Sequence, residues 1–151
     1  VFAGLTLHHT RAHLYRAVLE AIGYGLRLNL DVMTEMQARP DRLVAVGGGA
    51  QNRLWLQIVS DITGMPQVLP ARTVGASYGD ALLAGLATGI VEPSRAFERW
   101  VRPAATIVPN PAHTPTYDAM YAIFRDLYPS VKPMLHQLGR LATNGASPGP
   151  A

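Results

Sequence analysis

The apolar run Arg42-Leu43-Val44-Ala45-Val46 leads directly into Gly47-Gly48-Gly49, and a helical pattern follows over residues 51–63. A short apolar stretch that meets glycines and then an amphipathic helix reads as a buried parallel strand and the start of its crossover. On that helix Leu54, Trp55, Ile58, Val59 and Ile62 share one face, and Gly64 before Met65-Pro66 closes it. Gln67-Val68-Leu69 is then the second short strand, and residues 73–87 a further helix. That helix is rich in small residues (Gly75, Ala76, Gly79, Ala81, Ala84 and Gly85). Glycine costs about 1 kcal/mol inside a helix, so these positions predict close approach to a sheet or a neighbouring element.

The flanking segments follow the same logic. Residues 10–38 read as one long helix, capped by Thr10, with Leu14, Val18, Ala21, Ile22, Leu26, Leu30 and Met33 at three- and four-residue spacing. Leu19, Leu28 and Val32 lie elsewhere around it, so more than one face is expected to be covered. Pro40 lies past its end. Residues 88–113, with Pro93, Pro103, Pro109 and Pro111, read as loop with one short helix near 94–100. Thr114-Pro115 starts a last helix carrying Tyr117, Met120, Tyr121, Phe124, Leu127 and Tyr128. Pro129 and Pro133 are expected to break it, leaving a further short helix to about Leu141. Residues 142–151 are expected to be a disordered tail after one partial domain over 1–141.

The element order is that of an α/β layer with a parallel sheet. Two strands cannot cover these helices, so the sheet is expected to be completed by strands upstream of Val1. A chain of 151 residues, 48% hydrophobic and 15% charged, is the size and composition of one globular domain. Its net charge is +3, and the twelve arginines and single lysine form no run, which argues against a nucleic-acid groove or a membrane-binding patch. No apolar run is long enough for a membrane span. Without cysteine there are no disulfides, thiol nucleophiles or cysteine-held metals, and the cytoplasm is the default compartment.

The glycines carry the chemistry. They let a backbone pass close to a phosphate, and the N–H groups at a helix N-terminus favour an anion. A tight strand-to-helix turn with no ligand explains the glycines alone equally well. A dinucleotide fingerprint fails, because Asn52 stands where a third small residue is needed and no acid ends a strand about 20 residues on. A Walker loop fails too, since the only lysine is Lys132.

The residues beyond the glycines decide. Gly47-Gly48-Gly49, Trp55, Gln57, Ser60-Asp61, Gly64 and Pro66 resemble, in order and spacing, a segment of the FGGY carbohydrate kinases. Gly4-Leu5 with His13-Leu14 and Ala17-Val18-Leu19-Glu20 is similar to that family's C-terminal signature, and residues 75–89 to its small-residue helix. Pro109-Asn110-Pro111, Tyr117, Tyr121, Arg125, Leu127-Tyr128-Pro129 and Lys132-Pro133 resemble the xylulokinase-type end, so the resemblance covers nearly all of 1–140. It implies the actin-like, ribonuclease H-like α/β fold, here the C-terminal domain cut at its N-terminus. It implies ATP, with Mg²⁺ bound through the nucleotide, near Gly47, Gly48, Gly49 and Asn52. It implies transfer of phosphate to a sugar hydroxyl, a pentulose by the xylulokinase- or ribulokinase-like match, with the sugar and the catalytic aspartate held by the family's first domain. No catalytic residue is therefore assigned in this chain, which is expected to be inactive alone and poorly stable or self-associating, even as a homodimer. Two other functions stay open: a non-catalytic module that binds nucleotide or docks to a partner, and, more weakly, a dinucleotide-binding domain. Thr73 stands where many members have Glu, and Gly79-Asp80 replaces Gly-Ala, with Asp80 read as a solvated helix charge.

His9 and His13 are four residues apart, but no third ligand of matching spacing accompanies them, and structural roles are expected. The aromatic stripe 117–128 is expected to be core. Asp61 is expected to cap or pair, and Arg11 and Arg16 to be solvated or to pair with acids outside this chain.

Overall fold

The computed structural model of the chain describes residues 1–72, 75–93, 100 and 102–144. Helix α1 spans Arg11–Glu35. The Thr10 N–H donates to Nδ1 of His13 at 3.1 Å, so this histidine closes the helix N-terminus in the place of the usual capping-box carboxamide or carboxylate. Strand β1 (Leu43–Val44) passes through a 3₁₀ turn (Gly48–Gln51) into α2 (Arg53–Thr63), and β2 (Gln67–Pro70) and α3 (Ala76–Ala87) follow. Then come β3 (Pro103–Ile107), a 3₁₀ turn at Pro111–His113 and α4 (Thr114–Asn144). Among the described residues, no helix is long and apolar enough to cross a membrane.

The sheet has the order β1-β2-β3. β1 and β2 are parallel, pairing Leu43 with Gln67 and Val44 with Val68, as expected for a crossover through α2. The third strand corrects the reading of 88–113 as loop plus a short helix, of which 94–99 lie outside the described residues. β3 pairs antiparallel with β2, from Gln67 with Ile107 to Pro70 with Pro103, and a bulge falls between Leu69 and Pro70. Pro103 is tolerated because it opens an edge strand, where its missing N–H costs no ladder bond.

The expected break in the last helix is also corrected. α4 runs through Pro129 and Pro133 without interruption. Each proline removes one N–H bond to the carbonyl four residues back, but both stand at exposed positions, where water can take the freed carbonyls.

The core lies where α1, α2 and α4 meet: Leu19, Tyr24, Ile58, Ile62, Tyr117 and Tyr121, with Trp55 and Phe124 packed against them. Gly23 sets the crossing of α1 and α2, since a Cβ there would come within 2.8 Å of Ile62 Cδ1. The buried face of α1 is therefore Leu19, Gly23, Tyr24 and Leu30, whereas Val18 and Ile22 of the expected stripe are nearly half exposed. On α2, Leu54 also turns outward. α3 has no buried residue, and of its glycines only Gly85 meets a side chain, its Cβ position 2.6 Å from Val91 in the bend that follows the helix. The close packing expected of that helix is thus absent among the described residues.

Candidate functional site

Each of the three glycines after β1 does a different job. Gly47 has φ 81° and ψ −169°, a backbone state open in practice to glycine alone. Gly49 is held by packing: a Cβ there would lie 2.1 Å from Cζ3 of Trp55. At Gly47 and Gly48 an added Cβ would meet nothing within 4 Å. The backbone is tied down behind them, since Ala50 N–H donates to the Gly47 carbonyl at 3.1 Å and Asn52 N–H to that of Gly49 at 3.1 Å. Two glycines thus offer bare backbone at the carboxyl end of β1, the end at which ligands of open α/β sheets gather.

Asn52 is the N-cap of α2. Its Oδ1 accepts from the Trp55 N–H at 3.1 Å, and its Nδ2 donates to the Tyr15 hydroxyl at 3.3 Å. The cap leaves the remaining first-turn N–H groups and the positive end of the helix dipole beside the glycines, and no acid sits in that turn. A mostly apolar recess of about 360 Å³ adjoins the loop, with Val46, Gly49, Ala50 and Trp55 in its wall. The four residues singled out from sequence, Gly47, Gly48, Gly49 and Asn52, therefore fall in one strand-to-helix passage.

Asp61, toward the other end of α2, is 3% exposed and fully engaged. It accepts from Gln57 Nε2 at 2.7 Å, from the Asn110 N–H at 2.8 Å and from His113 Nδ1 at 2.7 Å. This bears out a pairing role and ties α2 to the link between β3 and α4. His113 escaped notice because its partner lies about fifty residues away, and Asn110 enters the sequence reading only within the Pro109-Asn110-Pro111 match; its side-chain Oδ1 accepts from the Ala112 N–H at 3.1 Å.

The remaining groups are structural. Arg16 is exposed, as its expected solvation implies, but it also pairs within the chain, with Glu20 at 2.8 Å, and donates to the Tyr117 hydroxyl at 2.9 Å. Glu20 raises the Arg16 pKa further. Arg27 pairs with Asp118 at 2.6 Å and lies over the Tyr121 ring, 4.3 Å from its centroid. His9 Nδ1 accepts from the Thr6 N–H at 3.0 Å, so both histidines near α1 serve its entry turn. Tyr117, Tyr121 and Phe124 are core as expected, but Tyr128 is exposed. Burial raises the pKa of Tyr24, Tyr117 and Tyr121, the last to about 12, where the hydrogen bond to Asp31 adds to the effect.

Residues 1–88 match the profile of the FGGY family of carbohydrate kinases, C-terminal domain. The chain belongs to that family. A xylulose kinase of Lactococcus lactis is 31% identical over 142 residues, covering 91% of this chain and 28% of that protein. A glycerol kinase of Citrifermentans bemidjiense is 39% identical over 104 residues, 66% of this chain and 20% of that protein. The crystal structure of xylulose kinase from Rhodospirillum rubrum superposes with a TM-score of 0.77 at 34% identity, over 90% of this chain and 28% of that one. The fold is accordingly that of the actin-like ATPases. The chain spans little more than a quarter of the length of these xylulose kinases.

Proposed function

We propose that this chain supplies the nucleotide side of an ATP-dependent carbohydrate kinase, with Gly47, Gly48, Gly49 and Asn52 forming the adenine-nucleotide site. The observation that carries the reading is the open backbone at Gly47 and Gly48 between β1 and the N-terminus of α2. There a phosphate oxygen can approach main-chain N–H groups without meeting a side chain, and the α2 dipole favours its charge. The apolar recess beside Gly49 and Trp55 suits the flat, weakly polar base of the same ligand.

No group of three or more metal-ligating side chains occurs among the described residues. A Mg²⁺ ion would then be carried by the phosphates of the nucleotide, where it neutralises developing charge during phosphoryl transfer. The part of the reaction assigned to this chain is to hold the nucleotide and orient its terminal phosphate. The sugar, a pentulose such as xylulose or ribulose, and the carboxylate that accepts its hydroxyl proton belong to the rest of a longer kinase. Such an enzyme works in the cytoplasm.

Calorimetric titration of residues 1–151 with ATP–Mg²⁺ and with NAD tests the site. ATP binds in preference to NAD, and Gly48→Asp weakens it by tenfold or more, about 1.4 kcal/mol, because a carboxylate then faces the phosphates. Preference for NAD, or ATP binding untouched by Gly48→Asp, sinks the assignment.

A further inference from the structure

A second concentration of ligand chemistry sits between β2, α3 and the strand entering β3, and it shares no lining residue with the recess at the glycine loop. Past the bulge at Pro70, the Ala71 N–H donates to the Arg102 carbonyl at 2.8 Å. This extension of the β2–β3 pairing brings Arg72 and Arg102, thirty residues apart, to one recess of about 310 Å³. Its other walls are Ala71, Tyr78 from the first turn of α3, and Trp100. The Tyr78 and Trp100 rings lie 4.7 Å apart between centroids, and the Arg72 guanidinium lies 5.9 Å from the Tyr78 ring centroid.

Among the described residues, the lining contains two arginines and no carboxylate. The ion pairs among the described residues involve Arg16, Arg27 and His113, so neither Arg72 nor Arg102 is neutralised within them. A dianion bound among the lining arginines would meet charges that the ion pairs of the described residues do not neutralise. Guanidinium forks match phosphate oxygens two at a time. The adjoining aromatic pair offers faces and edges for a flat body, in a volume near the lower end of small-molecule sites, about 300 Å³. No nucleophile or base beyond the Tyr78 hydroxyl is present among these residues, so the recess is suited to hold a ligand, not to transform it.

We propose that Arg72, Arg102, Tyr78 and Trp100 form a binding site for a small phosphomonoester with a flat organic body, separate from the nucleotide site. The proposal does not rest on the nucleotide reading.

Phenyl phosphate is the probe, titrated into residues 1–151 and followed by tryptophan fluorescence and by amide shifts of the Ala71–Arg102 segment. Phenyl phosphate saturates, and phenol at the same concentrations does not. Arg72→Gln and Arg102→Gln each weaken it about tenfold, the scale of one charge-assisted pair. Arg72→Lys, which keeps the charge and loses the fork, gives an intermediate loss. Gly48→Asp leaves phenyl phosphate binding unchanged whether or not it abolishes ATP binding, so failure of one site is distinguishable from failure of the other. Binding that survives both glutamine variants, phenol binding as well as phenyl phosphate, or loss on Gly48→Asp alone would overturn the proposal.

Discussion

Gly48 separates the proposed ligand role from the demands of the fold. Gly47 needs its positive φ and Gly49 the space filled by Trp55, whereas Gly48 has neither constraint. Gly48→Ala is therefore expected to change stability by no more than about 0.5 kcal/mol, while Gly49→Ala, which forces the indole to move, costs about 1–3 kcal/mol. Urea unfolding of the two variants measures the contrast, and equal losses would show that the glycine–indole contact is not formed. Tyr121 gives a separate, pH-dependent signature. Burial and its bond to Asp31 lift its hydroxyl to about 12, while in the unfolded chain it ionises near 10. The native state then holds a proton that the unfolded state has lost. The associated stability is complete below pH about 10 and disappears as pH rises to about 12. Tyr24 and Tyr117 shift in the same direction. Denaturation midpoints should fall over this window, and less steeply in Tyr121→Phe; an identical slope in the variant would contradict the assignment.

Asp61 ties α2 to the link between β3 and α4, so its loss is felt beyond α2. Removing a buried carboxylate that accepts three hydrogen bonds leaves the Gln57, Asn110 and His113 donors unmet. Asp61→Ala is expected to cost about 3 kcal/mol and to speed amide exchange in β3 as well as α2. Exchange confined to α2 would mean that the clasp does not hold β3. The elements themselves were unequally legible. α2 was readable because its periodicity and the left-handed Gly64 (φ 67°) agree, although the helix opens at Arg53 behind an Asn52 cap and not at residue 51. β3 was not, because Pro103-Ala104-Ala105-Thr106 has no alternation and is exposed, and it is a strand only because β2 offers it an edge. α4 defeated the rule that proline ends a helix because its prolines fall on solvent-facing positions. The spacing on α1 was right for a helix and picked out Leu30, but Val18 and Ile22 of the same stripe are nearly half exposed, since the core side is decided by partners (Ile58, Ile62, Tyr117, Tyr121) that no local pattern contains. The glycine passage was legible as a strand-to-helix turn for the opposite reason: its whole geometry is built from consecutive residues. The Asp61–His113 clasp spans fifty residues and was legible only at its Asp61 end.

At the scale of the molecule, two facts set what the isolated chain can do: its apolar surface and the occupation of its acids. Val1, Phe2, Val18, Ile22, Met120 and Ile123, all substantially exposed, surround one recess of about 610 Å³. Contiguous apolar surface of this kind drives association, so light scattering is expected to show concentration-dependent oligomers that Ile22→Lys with Ile123→Lys reduces; a monomer at all concentrations would refute this. Catalysis makes a different demand. Attack by a sugar hydroxyl on the γ-phosphate needs a carboxylate positioned to accept its proton. Asp61 is buried and saturated with donors, Glu20 holds Arg16 and Tyr117, Asp118 holds Arg27, and Asp31 holds the Tyr121 hydroxyl. Asp41 precedes β1 at the end opposite the glycines, and Asp80 lies exposed on α3. None of these is placed beside Gly47 and Gly48 with a free oxygen. On the proposed reading the nucleotide site of this chain alone is open to water, which weakens the electrostatics that stabilise charge in transfer. Residues 1–151 are therefore expected to bind ATP–Mg²⁺ without sugar-dependent ADP release, whereas a longer protein that adds the facing domain turns over. A coupled ADP assay across pentuloses, hexuloses and polyols reads this directly. Turnover by residues 1–151 alone at a rate of about 1 s⁻¹ or more, the low end for kinases, would require a base within this chain and would overturn the division of labour.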